Sequence, residues 1–207
     1  AADRPGARVL VAPDLAVTSA DGRLEVGGEL GIPVARIDLQ RLPRGDRAQA
    51  ASPDVVVIDD DVDDDAAGAA GLPLFATIDL ALGDKVELAG FGLDARVGGN
   101  LQLQERPGQV TTAAGEIRVA GVYKAYGQDL TIRQGQLFYA GTPLDDPRLN
   151  LVAVRVVDEV TAGLRVTGSA RAPQLEVFSD PAMGQAGALA YLVTGKPLDQ
   201  IGQGDAD

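Results

Sequence analysis

Two adjacent acid pairs, Asp145–Asp146 and Asp158–Glu159, are where this 207-residue chain comes nearest to chemistry. Paired carboxylates can divide the roles of acid, base and nucleophile, as glycoside cleavage requires, provided both face one substrate at a set separation. Neighbours along a strand point to opposite faces, so both pairs read instead as solvated loop or strand ends. Lys124 would serve as a base only if buried, and it alternates outward between Tyr123 and Ala125. Tyr123, Tyr126 and Tyr139 could line a pocket, although aromatic residues on a sheet more often pack or anchor an interface. Six of the seven residues from Asp59 to Asp65 are acidic, but the block lacks the central Gly and closing Glu of a calcium loop. Gly98–Gly99 lacks the Lys and following helix of a phosphate loop. We therefore expect no enzyme: no catalytic residue, no cofactor-binding residue and no metal ligand.

Composition points the same way. His and Cys are both absent, which removes the usual zinc sites, disulfides and the Ser–His–acid triad. The net charge of −12 argues against nucleic acid as a partner, while leaving apolar ligands untouched. With 45% hydrophobic but only 4% aromatic residues, a core must come from Leu, Val, Ile and Ala. Gly, at 26 residues, is nearly twice its usual share and follows no triplet period, as bends and bulges in a curved sheet require. No run approaches the ~20 apolar residues that cross a bilayer. The opening AADRPGARVLVAPDL lacks the order of a signal peptide and fits an internal segment of a longer protein.

The elements that must position any site are strands. The richest segment, GEIRVAGVYKAYGQDLTIRQGQLFYAG (115–141), alternates Ile117, Val119 and Tyr123 against Glu116 and Arg118, then Leu130 and Ile132 against Thr131 and Arg133. In FGLDARVGGNLQLQ, Phe91, Leu93, Ala95, Val97, Leu101 and Leu103 share one side. Gly83–Asp84 reads as a hairpin turn. Val86 and Leu88 have the opposite parity from Phe91, so a bulge near Ala89–Gly90 is expected to restore one apolar face. Pro107–Gly108 reads as a turn, with the next strand starting near Val110. Earlier, Leu24 and Val26 alternate with Arg23 and Glu25. A second alternation follows Pro33, which suits a strand start or an edge. The segments RLEVGGELGIPVARIDL and LRVTGSARAPQLEVF look alike and hint at a repeated hairpin unit. A single helix is expected from Pro181, capped by Ser179–Asp180 and presenting Ala182, Met183, Ala186, Leu189, Ala190 and Val193.

These elements divide the chain into a β segment (1–42), an acidic flexible linker or loop (43–71), a main β domain (72–198) and a polar tail (199–207). About ten strands with one helix leave an apolar face to be covered. The sheet either closes into a sandwich or barrel around an ordinary core, or curls into a trough that accepts something from outside.

Residues 121–155, GVYKAYGQDLTIRQGQLFYAGTPLDDPRLNLVAVR, resemble the C-terminal domain of the TamB family, related more loosely to AsmA-like lipid-transport proteins. The resemblance continues through 166–198 and, upstream, through 82–103. It rests on Tyr123, Ala125, Tyr126, Gly127, Leu130 and Ile132, then Gly135, Leu137, Phe138 and Gly141. Pro147, Leu149 and Arg155 follow, and Pro173, Ser179, Pro181, Met183, Leu189, Tyr191, Leu192 and Gly195 match the ending. Ala190 stands where a small polar residue is common, and the acidic insertion is peculiar to this chain.

The resemblance implies an all-β fold, an elongated, curved, antiparallel-rich sheet forming a hydrophobic trough with one short C-terminal helix. It further implies the periplasmic region of a protein anchored in the inner membrane of a diderm bacterium. Implied partners are a TamA-like outer-membrane barrel, and phospholipid acyl chains or unfolded outer-membrane protein segments. The expected work is phospholipid transport between membranes and assembly of outer-membrane proteins such as autotransporters, or alternatively docking onto a barrel by strand pairing around an ordinary closed core. Groove candidates are Phe91, Leu93, Val97, Leu101, Leu103, Ile117 and Val119. Partner or packing candidates are Tyr123, Tyr126, Leu175, Val177, Phe178, Met183, Leu189, Tyr191 and Leu192.

Overall fold

A computed structural model describes residues 7–41, 72–125 and 127–200. Tyr126, the whole of the expected linker with its acidic block Asp59–Asp65, and the end of the expected tail lie outside them. Among these residues nine strands form one open sheet in chain order: β1 (Ala7–Ala20), β2 (Arg23–Asp38), β3 (Leu74–Gly90), β4 (Leu93–Glu105), β5 (Thr112–Ala125), β6 (Gln128–Pro143), β7 (Arg148–Val157), β8 (Val160–Ser169) and β9 (Pro173–Asp180). Only β2 and β3 run parallel; every other neighbouring pair is antiparallel. One helix, α1 (Gln185–Thr194), follows β9. The closed sandwich or barrel is overturned, because β1 and β9 remain the two edges.

A row of irregularities crosses the sheet at one height. Pairing skips Val11 in β1 against Ile32–Pro33 in β2, then Pro33 against Gly83–Asp84 in β3. It skips Gly83–Lys85 against Gly98 in β4, and Val119–Ala120 in β5 against Arg133–Gly135 in β6. Bulges bend a strand and sharpen its twist, so their alignment bends neighbouring strands together.

This row corrects several expectations. Pro33 neither starts a strand nor sits at an edge: it lies inside β2, where the ladder is interrupted on both sides and its missing N–H costs nothing. Gly83–Asp84 is not a hairpin but part of the β3 bulge, and a Cβ at Gly83 would lie 2.9 Å from the Pro33 backbone. The hairpin turn is Phe91–Gly92, with Gly90 opposite Leu93. A two-residue loop pairs residues three apart, so even positions in β3 meet odd ones in β4 without the bulge expected near Ala89–Gly90. β5 begins at Thr112, leaving Val110 exposed outside it. The suspected hairpin repeat also dissolves, since the first copy lies in the single strand β2 and the second spans β8 and β9.

Loops at one end of the sheet are tied by Arg171, between β8 and β9. Its Nη2 donates to Asp145 Oδ2 at 2.6 Å and its backbone N–H to Asp146 Oδ1 at 2.9 Å. That backbone bond is the main reason the Asp146 carboxyl sits below its ordinary range. With a folded pKa below the unfolded one, this stabilisation is complete above the unfolded value and disappears as pH falls through the folded value. Asp146→Ala should therefore lower Tm near about pH 7, and the deficit should begin to shrink as pH falls below the ordinary carboxylate pKa and go on shrinking through the lowered folded value. Thermal unfolding across that range checks it; a deficit constant with pH would show that charge plays no part.

Candidate functional site

One face of the sheet carries a continuous apolar lining from β1 to β8. Along β4 and β5 the rows pair Val97 with Val119, Gly99 with Ile117, and Leu101 with Gly115, so glycines alternate with bulky side chains across the strands. In β3 and β6 the residues on either side of the bulges, Leu80 and Leu82 with Val86 and Leu88, and Ile132 with Leu137 and Tyr139, line a single cavity of about 810 Å³. The strands are thus bent toward this face. The lining reaches from Val9 in β1 to Val166 in β8 and includes no charged side chain.

Packing on this face is partial. Val86, Val97, Leu101 and Ile117 are buried, with Leu80, Leu88, Val119 and Leu137 half-covered around them. Among the described residues no large side chain is fully buried, whereas two layers packed face to face would produce many. Among the described residues the sheet is a single layer with one short helix as cover, and much of its apolar face has no second layer packed on it.

Among the groove candidates, Leu93, Val97, Leu101, Ile117 and Val119 line the cavity. Phe91 lines it from the tip of the β3–β4 turn and is 60% exposed. Leu103 packs against the buried cluster but does not reach the cavity wall. Tyr123 lines the cavity beside Leu93. Val177, Tyr191 and Leu192 belong to a second cluster around Leu130 and Ala162. Leu175 stands exposed on the edge strand β9. Phe178 does not share that apolar face: it pairs with Gly163, its ring fills the space a Cβ would need there, and Arg165 stacks on it at 5.2 Å.

Sequence reasoning missed the walls contributed by β2, β3, β7 and β8, among them Ala35, Ile37, Leu151 and Leu164. Their alternation was visible, but the bulges and loop lengths that bring them to one face were not.

A family model for the TamB C-terminal domain matches residues 1–207. The chain belongs to the TamB family. It is also 30% identical over 212 residues to the translocation and assembly module subunit TamB of Haemophilus influenzae (strain ATCC 51907 / DSM 11121 / KW20 / Rd), an overlap of 95% of this chain and 16% of that relative. The chain thus spans about one sixth of the relative's length.

In this TamB domain helix α1 covers the apolar face over β6 to β9. Leu192 is buried against Leu130 and Ala162. Arg155 reaches up from β7, its Nη1 donating to the Tyr191 carbonyl at 3.1 Å and its guanidinium lying against Gly195. Gly195 takes the left-handed C-cap conformation, φ 71°, where a cation also complements the helix dipole. The expected helix is corrected at its start and its face. It begins at Gln185 behind Gly184, and the Ser179 hydroxyl instead accepts the Met183 N–H at 3.0 Å. Ala188, Ala190 and Leu192 are buried while Ala182, Ala186 and Leu189 are exposed. A segment rich in Ala, Gly and Leu all round specifies no face by itself, and the hollow at Leu130–Ala162 chooses the side chain that docks.

The opposite face of this TamB domain is polar. Arg36 pairs with Glu87 at 2.8 Å, Arg165 with Glu176 at 2.7 Å, and Gln136 accepts from Asn150 at 2.9 Å. The former candidates for catalysis hold structure or face water. Asp145 and Asp146 tie loops, Asp158 takes φ 52° in the β7–β8 turn, and Lys124 is exposed. No helix among the described residues is long and apolar enough to cross a membrane.

Proposed function

We propose that this chain is a non-enzymatic periplasmic part of a cell-envelope translocation and assembly factor, and that its trough carries phospholipid acyl chains between membranes. The carrying observation is the cavity of about 810 Å³ with no charged side chain in its lining. That volume lies within the range of about 300–1,000 Å³ for small-molecule sites. Each CH₂ moved from water to such a wall contributes about 0.8 kcal/mol, so a chain is held without any covalent step. Backbone pairing favours hydrocarbon over polypeptide here. Strands β2 to β8 are hydrogen-bonded to neighbours on both sides, so a peptide lying on this face would leave its own N–H and C=O groups without partners. The name of the Haemophilus relative supports a role in translocation and assembly. A TamA-like outer-membrane barrel as partner and autotransporters among the proteins assembled complete this reading. Anchorage in the inner membrane belongs to the same reading.

A second reading keeps the partner and changes the contact. The β9 edge, Pro173–Asp180, has no strand on its outer side among the described residues and exposes Leu175 at 64%, which suits strand addition by a barrel.

The test uses vesicles of phosphatidylethanolamine and phosphatidylglycerol with a diazirine in one acyl tail, irradiated with the chain and mapped by mass spectrometry. Adducts on Leu93, Val119 and Leu137 are expected. Lipid adducts spread over the polar face, or none, would overturn the trough, and a purified barrel crosslinking to β9 alone would favour the second reading.

A further inference from the structure

The turn at Phe91–Gly92 puts a bulky aromatic residue where the backbone resists one. Both residues have positive φ, 51° and 87°, as a type I′ hairpin turn demands, and Asn, Asp or Gly normally fills the first position. Left-handed backbone brings Cβ against the following carbonyl, so a Phe there destabilises the hairpin. The other two described two-residue turns with a positive-φ first residue start with Asp: Asp21, at φ 53°, and Asp158, at φ 52°.

Among the described residues nothing in the packing compensates for Phe91. The side chain is 60% exposed, outside both buried clusters, yet it lines the cavity. Beneath it the turn is rigid: Lys124 N–H donates to the Gly92 carbonyl at 2.7 Å, and a Cβ on Gly92 would meet the Lys124 carbonyl at 2.2 Å. Tyr123, 41% exposed, stands against the same turn, its ring 3.5 Å from that Cβ position. The turn is therefore held in place with an aromatic side chain displayed over the mouth of an apolar cavity.

We propose that Phe91, with Tyr123 beside it, forms an aromatic lip that grips a hydrocarbon chain where it enters or leaves the trough, at the expense of hairpin stability. The proposal rests on the reading of the trough as an acyl-chain site and assigns this end of it as the gripping point. An aromatic face presents a large, rigid apolar surface at the price of only two torsions, and it closes over a chain without a hydrogen-bonding partner.

A packing residue and a gripping residue respond oppositely to Phe91→Asn. Asn accepts the left-handed conformation, so this variant should raise Tm by about 2–4 °C for a chain of this size. It should also lower the yield of diazirine-tail adducts from phosphatidylethanolamine vesicles roughly fivefold to tenfold, the loss of much of one Phe contact. Phe91→Leu, which keeps an apolar side chain, should recover much of the yield without the gain in Tm. Adduct yield unchanged in Phe91→Asn would overturn the lip and leave the trough standing. A fall in Tm would overturn it by showing that Phe91 supports the fold. Absence of adducts along the trough in the unmodified chain would remove the trough reading and the lip with it.

Discussion

Leu93→Asp should abolish acyl-chain capture with little change in the melt, whereas Ile117→Asp should strongly destabilise the fold itself. Both residues line the cavity, but they meet water differently. Leu93 is half-buried at the start of β4, next to the turn, and a carboxylate there can turn outward and keep its hydration. It then places a charge on the wall along which hydrocarbon must lie, and a chain passing it would desolvate that charge. Ile117 is 7% exposed, flanked by Gly99 and Leu137 and packed with Val97 and Leu101. An Asp there loses the packed isoleucine and strands a carboxyl among apolar groups, together on the order of 3–5 kcal/mol. A domain of ordinary stability has about 5–15 kcal/mol in all, so the loss is a large fraction of the total and Tm falls with it. Circular dichroism melts and tail-adduct yields separate the two effects. If Leu93→Asp lost its fold to the same degree as Ile117→Asp, the wall would be a self-packed core rather than a surface for a guest.

The second large effect concerns the glycines of the apolar face. Gly99 and Gly115 have φ of 135° and 132°, and a Cβ would lie 2.2 Å from the Glu116 carbonyl in one case and 2.3 Å from the Asn100 carbonyl in the other. Those oxygens belong to the neighbouring strand's backbone, which cannot swing aside as a side chain can. Gly99→Ala and Gly115→Ala should each destabilise the sheet by about 2–5 kcal/mol, combining strained backbone with a forced separation of β4 and β5. Gly108 supplies the control. Its φ of 70° is also positive, but nothing lies within 4 Å of a Cβ there, so Gly108→Ala should cost only about 1–2 kcal/mol. Urea unfolding of the three variants checks the ordering. Equal losses at all three would mean that conformational strain alone sets the effect and strand contact none of it.

Much of the architecture was legible because alternation is a local property. The odd-numbered apolar set from Leu93 to Leu103 and the pair Ile117 and Val119 could be read directly, since β4 and β5 pair with each other without a register shift. Reading failed wherever parity changes. Leu30 and Ile32 are even while Ala35 and Ile37 are odd, yet they share a face because Pro33 is an extra residue. Two alternations separated by a proline look like two strands, and only the paired neighbours on both sides reveal one. Gly83–Asp84 misled for a related reason, since a Gly-Asp pair inside a bulge has the same composition as one in a turn. Phe91 was legible as apolar and unreadable as a turn residue, because its type contradicts the conformation that the hairpin imposes.

The sequence by itself determined an all-β chain of the TamB family, without His or Cys and with a run of apolar alternation too long for its single helix to cover. Those properties depend on residue identity and on a two-residue period, both present in any short window. The tertiary structure decided that the sheet of described strands stays open, that a common row of bulges crosses β1 to β6, and that apolar sides from β1 to β8 converge on one cavity. Which parity faces inward depends on the sum of every extra residue and loop length along the chain, and that sum exists only once strands distant in sequence have paired.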